Sequence, residues 1–327
     1  MGGDDRFGCC TDSGRPARKA FRDRLLVLIA SAQAYLADPR NAGVKVWVNG
    51  ALVAREKASV SVFDAGFVLG DGIWEGLRLV EGRIVALDDH LDRLFEGANA
   101  IRLDIGLDRK QLVTAVDETL AANAMTDGVH IRLMVTRGVK TTPNQDPRFA
   151  PGPATVAIVA EHKRVDPQAK ARGLVLATAT IRCSGPDVFD LRLNSHSRLN
   201  FIQALIQAID LGADEALMLD PSGFVASCNS TNFFIVRRGE LWTSTGRFNF
   251  KGITRGKVIG LARQDGITVR ECDFTLGEAY AAEEAFVTGT LAGVTPVRAI
   301  DGRESRKPLP GPLTFRLSTL YEAAIRS

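Results

Sequence analysis

Hydrophobic and polar positions alternate first around a turn signal. Residues 44–48 (VKVWV) and 52–53 (LV) flank Asn49-Gly50, a dipeptide that readily takes the left-handed backbone of a two-residue hairpin. A second hairpin is predicted over 76–87, turning at Glu81-Gly82. The apolar period then lengthens to roughly 3.6, the helical value, over 90–101 and again over 110–122. A strand follows at 130–136, then a proline-rich loop at 140–153 and a strand at 154–160. The polar stretch HKRVDPQAKAR reads as a linker, and the domain boundary is placed over 161–172. Beyond it, strands are predicted at 173–180, 215–219, 232–237, 241–243, 269–273 and 285–288. Helices are predicted at 197–209, ending at the C-cap Gly212, from the cap Thr254 to 263, and at 313–325. The pattern predicts an α+β chain with a small α+β domain over 44–160 and a larger, barrel-like β domain with helices over 173–327. Residues 1–43 stand apart as an extension, a polar tail followed by an amphipathic helix over about 20–37.

Composition narrows the partners. The chain has 327 residues, room for two packed cores, and a net charge of +3 with acidic and basic residues interspersed. A nucleic-acid or membrane partner would call for a clustered basic face, so neither is expected. The apolar run 25–30 is far shorter than the ~20 residues that span a bilayer. Acidic residues throughout the leader argue against a secretory signal. Five cysteines (9, 10, 183, 228, 272) without CxxC spacing point to a reducing, cytoplasmic setting. His90, His130, His162 and His196 pair with no cysteine at ligand spacing, so no metal site is expected.

Five strings occur in a telling order: FDAGFVLGDGIWEGLRLVEGRIVALDDHLDRLF at 63–95, LNSHSRLN at 193–200, NSTNFF at 229–234, KGITR at 251–255 and FVTGTLAGVTPV at 286–297. Together they resemble the fold-type IV, pyridoxal-phosphate-dependent aminotransferases, which include branched-chain aminotransferases, D-amino-acid transaminases and R-selective amine transaminases. The resemblance runs from Lys45 to about Gly302. It implies a cofactor, pyridoxal or pyridoxamine 5'-phosphate, held between two domains, and a homodimer. Gly252-Ile253-Thr254-Arg255 opens a helix, where free amides, a hydroxyl and the helix dipole favour an anion. The resemblance makes Ile253, Thr254, Thr290 and Arg93 the phosphate ligands. Taken alone, Thr254 is an ordinary cap and Arg93 a solvated helix residue. GITRGKV also looks like a phosphate-binding P-loop, but its spacing is too short and no Ser or Thr follows Lys257.

At two positions the chain departs from the family. The family's lysine, which forms the Schiff base and moves protons, falls on Asn194 by ungapped counting from Gly212 and Glu215-Ala216. An amide is neither basic nor nucleophilic, and no lysine lies between Lys170 and Lys251. The family's glutamate, which keeps the pyridine nitrogen protonated, falls on Ser227. Three readings stay open: noncovalent cofactor binding without a lysine, a pseudoenzyme serving another ligand or partner, or recruitment of another amine such as Lys140 or Lys251. His196 is a candidate acid–base group beside Asn194, or simply orients the helix that follows. The resemblance places pocket-lining residues at Phe67, Leu69, Ile73 and Trp74. Arg78, Arg137 and Lys140 are candidate carboxylate traps. The expected substrates are small molecules: an amino acid or amine as donor and a 2-oxo acid as acceptor. The string TRGVKTTP lacks the arginine and histidine that follow Thr-Arg-Gly in D-amino-acid transaminases.

Overall fold

The computed structural model describes residues 32, 33 and 35–327. Most of the helix predicted over 20–37 lies outside them. Its described end is instead a short strand, β1 (Tyr35–Leu36), antiparallel to β8 (Arg164–Val165).

The first sheet has β2 (Lys45–Val48), β3 (Ala51–Ala54), β4 (Gly72–Val80), β5 (Arg83–Ile84), β6 (Val129–Thr136) and β7 (Thr155–His162), in the order β3-β2-β7-β6-β4-β5. Both tight turns form where left-handed backbone is needed, with φ of 47° and 90° at Asn49-Gly50 and 48° and 80° at Glu81-Gly82. Strand β6 alternates strictly. Val129, Ile131, Leu133 and Val135 are buried in one core with residues of helices α2 (Leu87–Ala100) and α3 (Arg109–Ala122), while α1 is the short helix Ala65–Leu69. His130, Arg132 and Met134 take the other face. Antiparallel β4 aligns Trp74 with Met134, Gly76 with Arg132 and Arg78 with His130, so these residues share that face. Helix α3 starts on a reciprocal capping box between Asp108 and Gln111.

The second sheet is mixed. Its order is β11 (Val225–Cys228), β10 (Glu215–Leu219), β9 (Leu174–Thr178), β16 (Gly293–Ile300), β15 (Glu284–Gly289), β12 (Asn232–Arg237), β13 (Glu240–Thr243) and β14 (Val269–Glu271), with β17 (Arg303–Glu304) beside β16. Helices α5 (Leu199–Asp210), α6 (Ile253–Gln264), α7 (Leu276–Tyr280) and α8 (Pro312–Ala324) belong to this half, and the fold is the two-domain α+β one. A deeply buried carboxylate, Glu284, caps α8: it accepts from the Thr314 amide at 2.8 Å and the Thr314 hydroxyl at 2.9 Å.

Several elements differ from the expectation. Within 161–172 the chain is not all irregular: β8 is followed by α4 (Pro167–Arg172), with Asp166 as N-cap and proline at the first turn. Strand β16 is absent from the expected strands and contains a proline, Pro296. The proline is paired with Phe286 on β15, and the ladder to β9 slips between Val297 and Ala299. Helix α5 starts two residues later than expected, because Ser195 first bridges to Ile73 of the other sheet. Among the described residues no helix is long and apolar enough to cross a membrane.

Candidate active site

The stretch around residue 194 is clasped onto strand β4. The Trp74 amide donates to the Asn194 carbonyl at 2.9 Å, and Asn194 Nδ2 donates to the Trp74 carbonyl at 2.5 Å. Trp74 Nε1 donates to the Ser195 carbonyl at 3.1 Å, and the His196 amide to Gly72 at 3.0 Å. Asn194 Oδ1 accepts from Arg198 Nη2 at 2.6 Å. Both ends of this buried amide are therefore spent.

The clasp closes one side of a cavity of about 370 Å³ between the polar face of the first sheet and β11, β12, β15 and α6 of the second. One end is built for an anion. Helix α6 begins at Ile253 behind the N-cap Gly252, with no side chain capping its first amides. A side chain at 252 would collide with Asn232 Oδ1 at 2.4 Å, so glycine is required for this approach. Across from it run Thr288, Gly289 and Thr290. The Thr288 hydroxyl and Arg93 Nη1 are buried with no hydrogen-bond partner among the described residues, two unspent groups at the cavity wall.

Charge in the cavity is one-sided. Arg93, Arg132 and Arg198 line it, and among the described lining residues there is no carboxylate and no lysine. Arg93 Nε and Nη2 hold Glu75, buried behind the wall, at 2.8 and 2.6 Å. Burial alone would raise the Glu75 carboxyl, but hydrogen bonds from Arg93 and His90 hold it below its ordinary value. The Arg132 guanidinium stacks 3.3 Å from the Trp74 ring centroid. Burial, first of all, lowers Arg132 and Arg198 to about 10, so both stay charged at neutral pH. Burial, then the cations Lys163 and Arg132, push His130 down to about 4, leaving a neutral imidazole in the wall. The donors and the indole together suit a flat, multiply charged anion.

A family model described as amino-transferase class IV matches residues 72–300, which hold this entire clasp, the start of α6 and the Thr288–Thr290 turn. The chain belongs to that family. Branched-chain-amino-acid aminotransferase-like protein 2 of Arabidopsis thaliana is 37% identical over 284 residues, 87% of this chain but 51% of the relative, so the chain spans about half that protein's length. A D-alanine aminotransferase of Listeria monocytogenes is 34% identical over 281 residues, covering 85% of this chain and 95% of the relative. Among solved structures, the T.th. branched-chain amino acid aminotransferase with pyridoxamine 5'-phosphate superposes with a TM-score of 0.79 at 31% identity, over 86% of this chain and 94% of the other.

Of the residues singled out from the class IV motifs, Arg93, Asn194, Ser227, Ile253, Thr254, Thr290 and Trp74 converge on the one cavity. Ser227 is buried, donates to the Thr231 carbonyl at 2.8 Å and accepts from Asn232 at 3.3 Å. The others fall elsewhere. Phe67 and Leu69 are exposed on α1, and Ile73 is core. Arg137 is spent on Asp71 and on the Ile101 and Arg102 carbonyls. Lys140 is buried and donates to the Asp146 carbonyl at 2.9 Å. Neither Lys251 nor His196 lines the cavity, and His196 Nε2 is buried without a partner. Sequence reasoning missed His130, Arg132 and Phe250. The first two were findable: the alternation in VHIRLMVT sets both on the face opposite the apolar core.

Proposed function

We propose that this chain binds pyridoxal or pyridoxamine 5'-phosphate noncovalently in the 370 Å³ cavity. Its reaction class is amino-group transfer between an amino donor and a 2-oxo acid, slowed or altered because Asn194 and Ser227 stand at the lysine and glutamate positions of class IV enzymes. The observation that carries this reading is the anion end itself, an uncapped helix start facing Thr288–Thr290 with unspent donors on Thr288 and Arg93. When bound, the cofactor supplies an electron sink that takes up and returns the amino group. The Ile253 and Thr254 amides, Thr290 and Arg93 hold its phosphate by charge-assisted bonds. Trp74 and Phe250 exclude water. Arg132 and Arg198 hold the carboxylate that an amino acid and its 2-oxo acid share. Neutral Ser227 cannot retain a protonated ring nitrogen. The Asn194 amide cannot take a proton, so proton movement falls to His130, unprotonated above about pH 4.

One observation favours a second reading. A wall with neither lysine nor carboxylate among its described residues is equally suited to holding a ligand without turning it over, as in a catalytically impaired or non-enzymatic binding protein on the same scaffold. Two titrations separate the readings. Saturable pyridoxal phosphate absorbance, weakened at least about tenfold (~1.4 kcal/mol) by Thr254→Val, supports the cofactor assignment, and an absence of binding overturns it. Conversion of bound pyridoxamine phosphate by a panel of 2-oxo acids supports transfer; binding without conversion leaves the binding-protein reading.

The proposed assembly is a homodimer in the cytoplasm. Exposed apolar residues Phe67, Leu69, Val188, Leu199 and Ile202 support a covered face, and Ile202 also lines the cavity. Free Cys183, Cys228 and Cys272 suit a reducing compartment.

A further inference from the structure

A second cavity, about 410 Å³, opens farther along the face of the first sheet that lines the active cavity. Arg78 of β4 lies two residues beyond Gly76 and pairs across the sheet with His130, so the two cavities are neighbours on one surface. Five cations line the second one: Arg78, Lys163, Arg164, Lys170 and Arg326. Two carboxylates line it with them, Asp127 and Glu322, and two from outside the lining pair with Lys163 (Glu161, 2.9 Å) and Arg326 (Glu81, 3.0 Å). Asp127 Oδ1 is occupied by the Glu81 amide at 2.9 Å. Glu322 is shared among Arg78, Lys170 and Arg326 at 3.9, 3.8 and 3.7 Å, all beyond hydrogen-bond length. Arg78 Nη1 is buried with no hydrogen-bond partner among the described residues. The cations are brought together by separate elements, β4, the β7–β8 turn, β8, α4 and the residues just after α8, so they are fixed by the fold and are not a run of neighbouring surface residues. Glu322 and Arg326 also lie beyond the matched family segment, 72–300.

We propose that this cleft is a second anion site, separate from the cofactor cavity, that takes a small molecule bearing a phosphate or diphosphate group. Among the described residues Arg78, Arg164 and Lys170 have no carboxylate within hydrogen-bond length, so a compact group of two or more charges engages all three in one place, where a monocarboxylate offsets one charge. A nucleic-acid strand is disfavoured because the cations converge on a cleft and form no extended track.

The test is a calorimetric titration of full-length protein with pyrophosphate at 0.15 M salt, where weak surface pairing is screened (Debye length about 8 Å). The expected result is saturable binding at the cleft, counted apart from any at the anion end of the cofactor cavity. The double substitution Lys170→Met with Arg326→Met, which keeps the apolar stems, weakens it at least about tenfold. Arg164→Ser, an exposed side chain whose loss leaves folding intact, weakens it at least about threefold by removing one of the five cations. Thr254→Val at the other cavity leaves it unchanged. Three results overturn the proposal: no saturable binding, loss in Thr254→Val with retention in the cleft variants, or equal loss in both sets. Inorganic phosphate and a phosphate monoester, run as competitors, tell a free-anion site from one that recognises an ester.

Discussion

Asn194 is engaged on every side: its carbonyl and Nδ2 with Trp74, its Oδ1 with Arg198. The residue that counting places at the class IV lysine position thus ties the two sheets together. Removing it exposes the Trp74 carbonyl and frees Arg198. Asn194→Ala is expected to destabilise the chain by about 1–3 kcal/mol, measured by urea unfolding, while pyridoxal phosphate binding persists. Arg132 has a different duty. Its guanidinium is stacked and charged but makes no hydrogen bond with another described residue, which leaves its donors open to a ligand. Arg132→Met is expected to weaken 2-oxo acid binding about tenfold or more, with cofactor affinity changed less than about threefold, as read by titrating each in turn. Equal losses would contradict a substrate role. Asn194, Ser227, Thr254 and Thr290 were legible because local strings carry them. The alternation of β6 puts Arg132 and His130 on its polar face, and only the packing of that face against the second half of the chain turns them into cavity residues.

At the element scale, patterning was readable wherever one face is buried. The strict alternation of β6 and the Asp108 capping box fix register and helix start locally. Leu133, fully buried in that strand, is expected to cost about 2–5 kcal/mol as Leu133→Ala by urea unfolding. What could not be read locally was structure fixed across long separations. Strand β16 holds Pro296 just before its ladder to β9 begins at Val297, and α8 is capped by a carboxylate thirty residues upstream. Glu284→Ala strands the Thr314 amide and hydroxyl, and the expected loss is about 2 kcal/mol, with α8 the first helix to lose hydrogen-exchange protection.

Across the whole molecule, two neutral histidines set an acid limit. Burial leads in lowering both His130 and His196 to about 4, whereas in the unfolded chain they titrate near 6.5. Between those values the unfolded chain binds more protons, so stability falls as pH drops from about 6.5 toward 4 and is unaffected by these groups above that window. The slope is at most roughly 1.4 kcal/mol per pH unit for each histidine, and His196→Gln is expected to reduce it in melting curves taken across the window. A slope unchanged by that substitution would contradict the assignment. The central claim concerns a class IV pocket without its covalent anchor. It is tested most directly by adding pyridoxal phosphate to the purified protein, reducing with borohydride and measuring intact mass. The expected result is saturable binding with no mass increase in the natural chain, and a one-cofactor increase after Asn194→Lys with Ser227→Glu. A reducible adduct on the natural chain would contradict the account, because another lysine would then be serving the cavity.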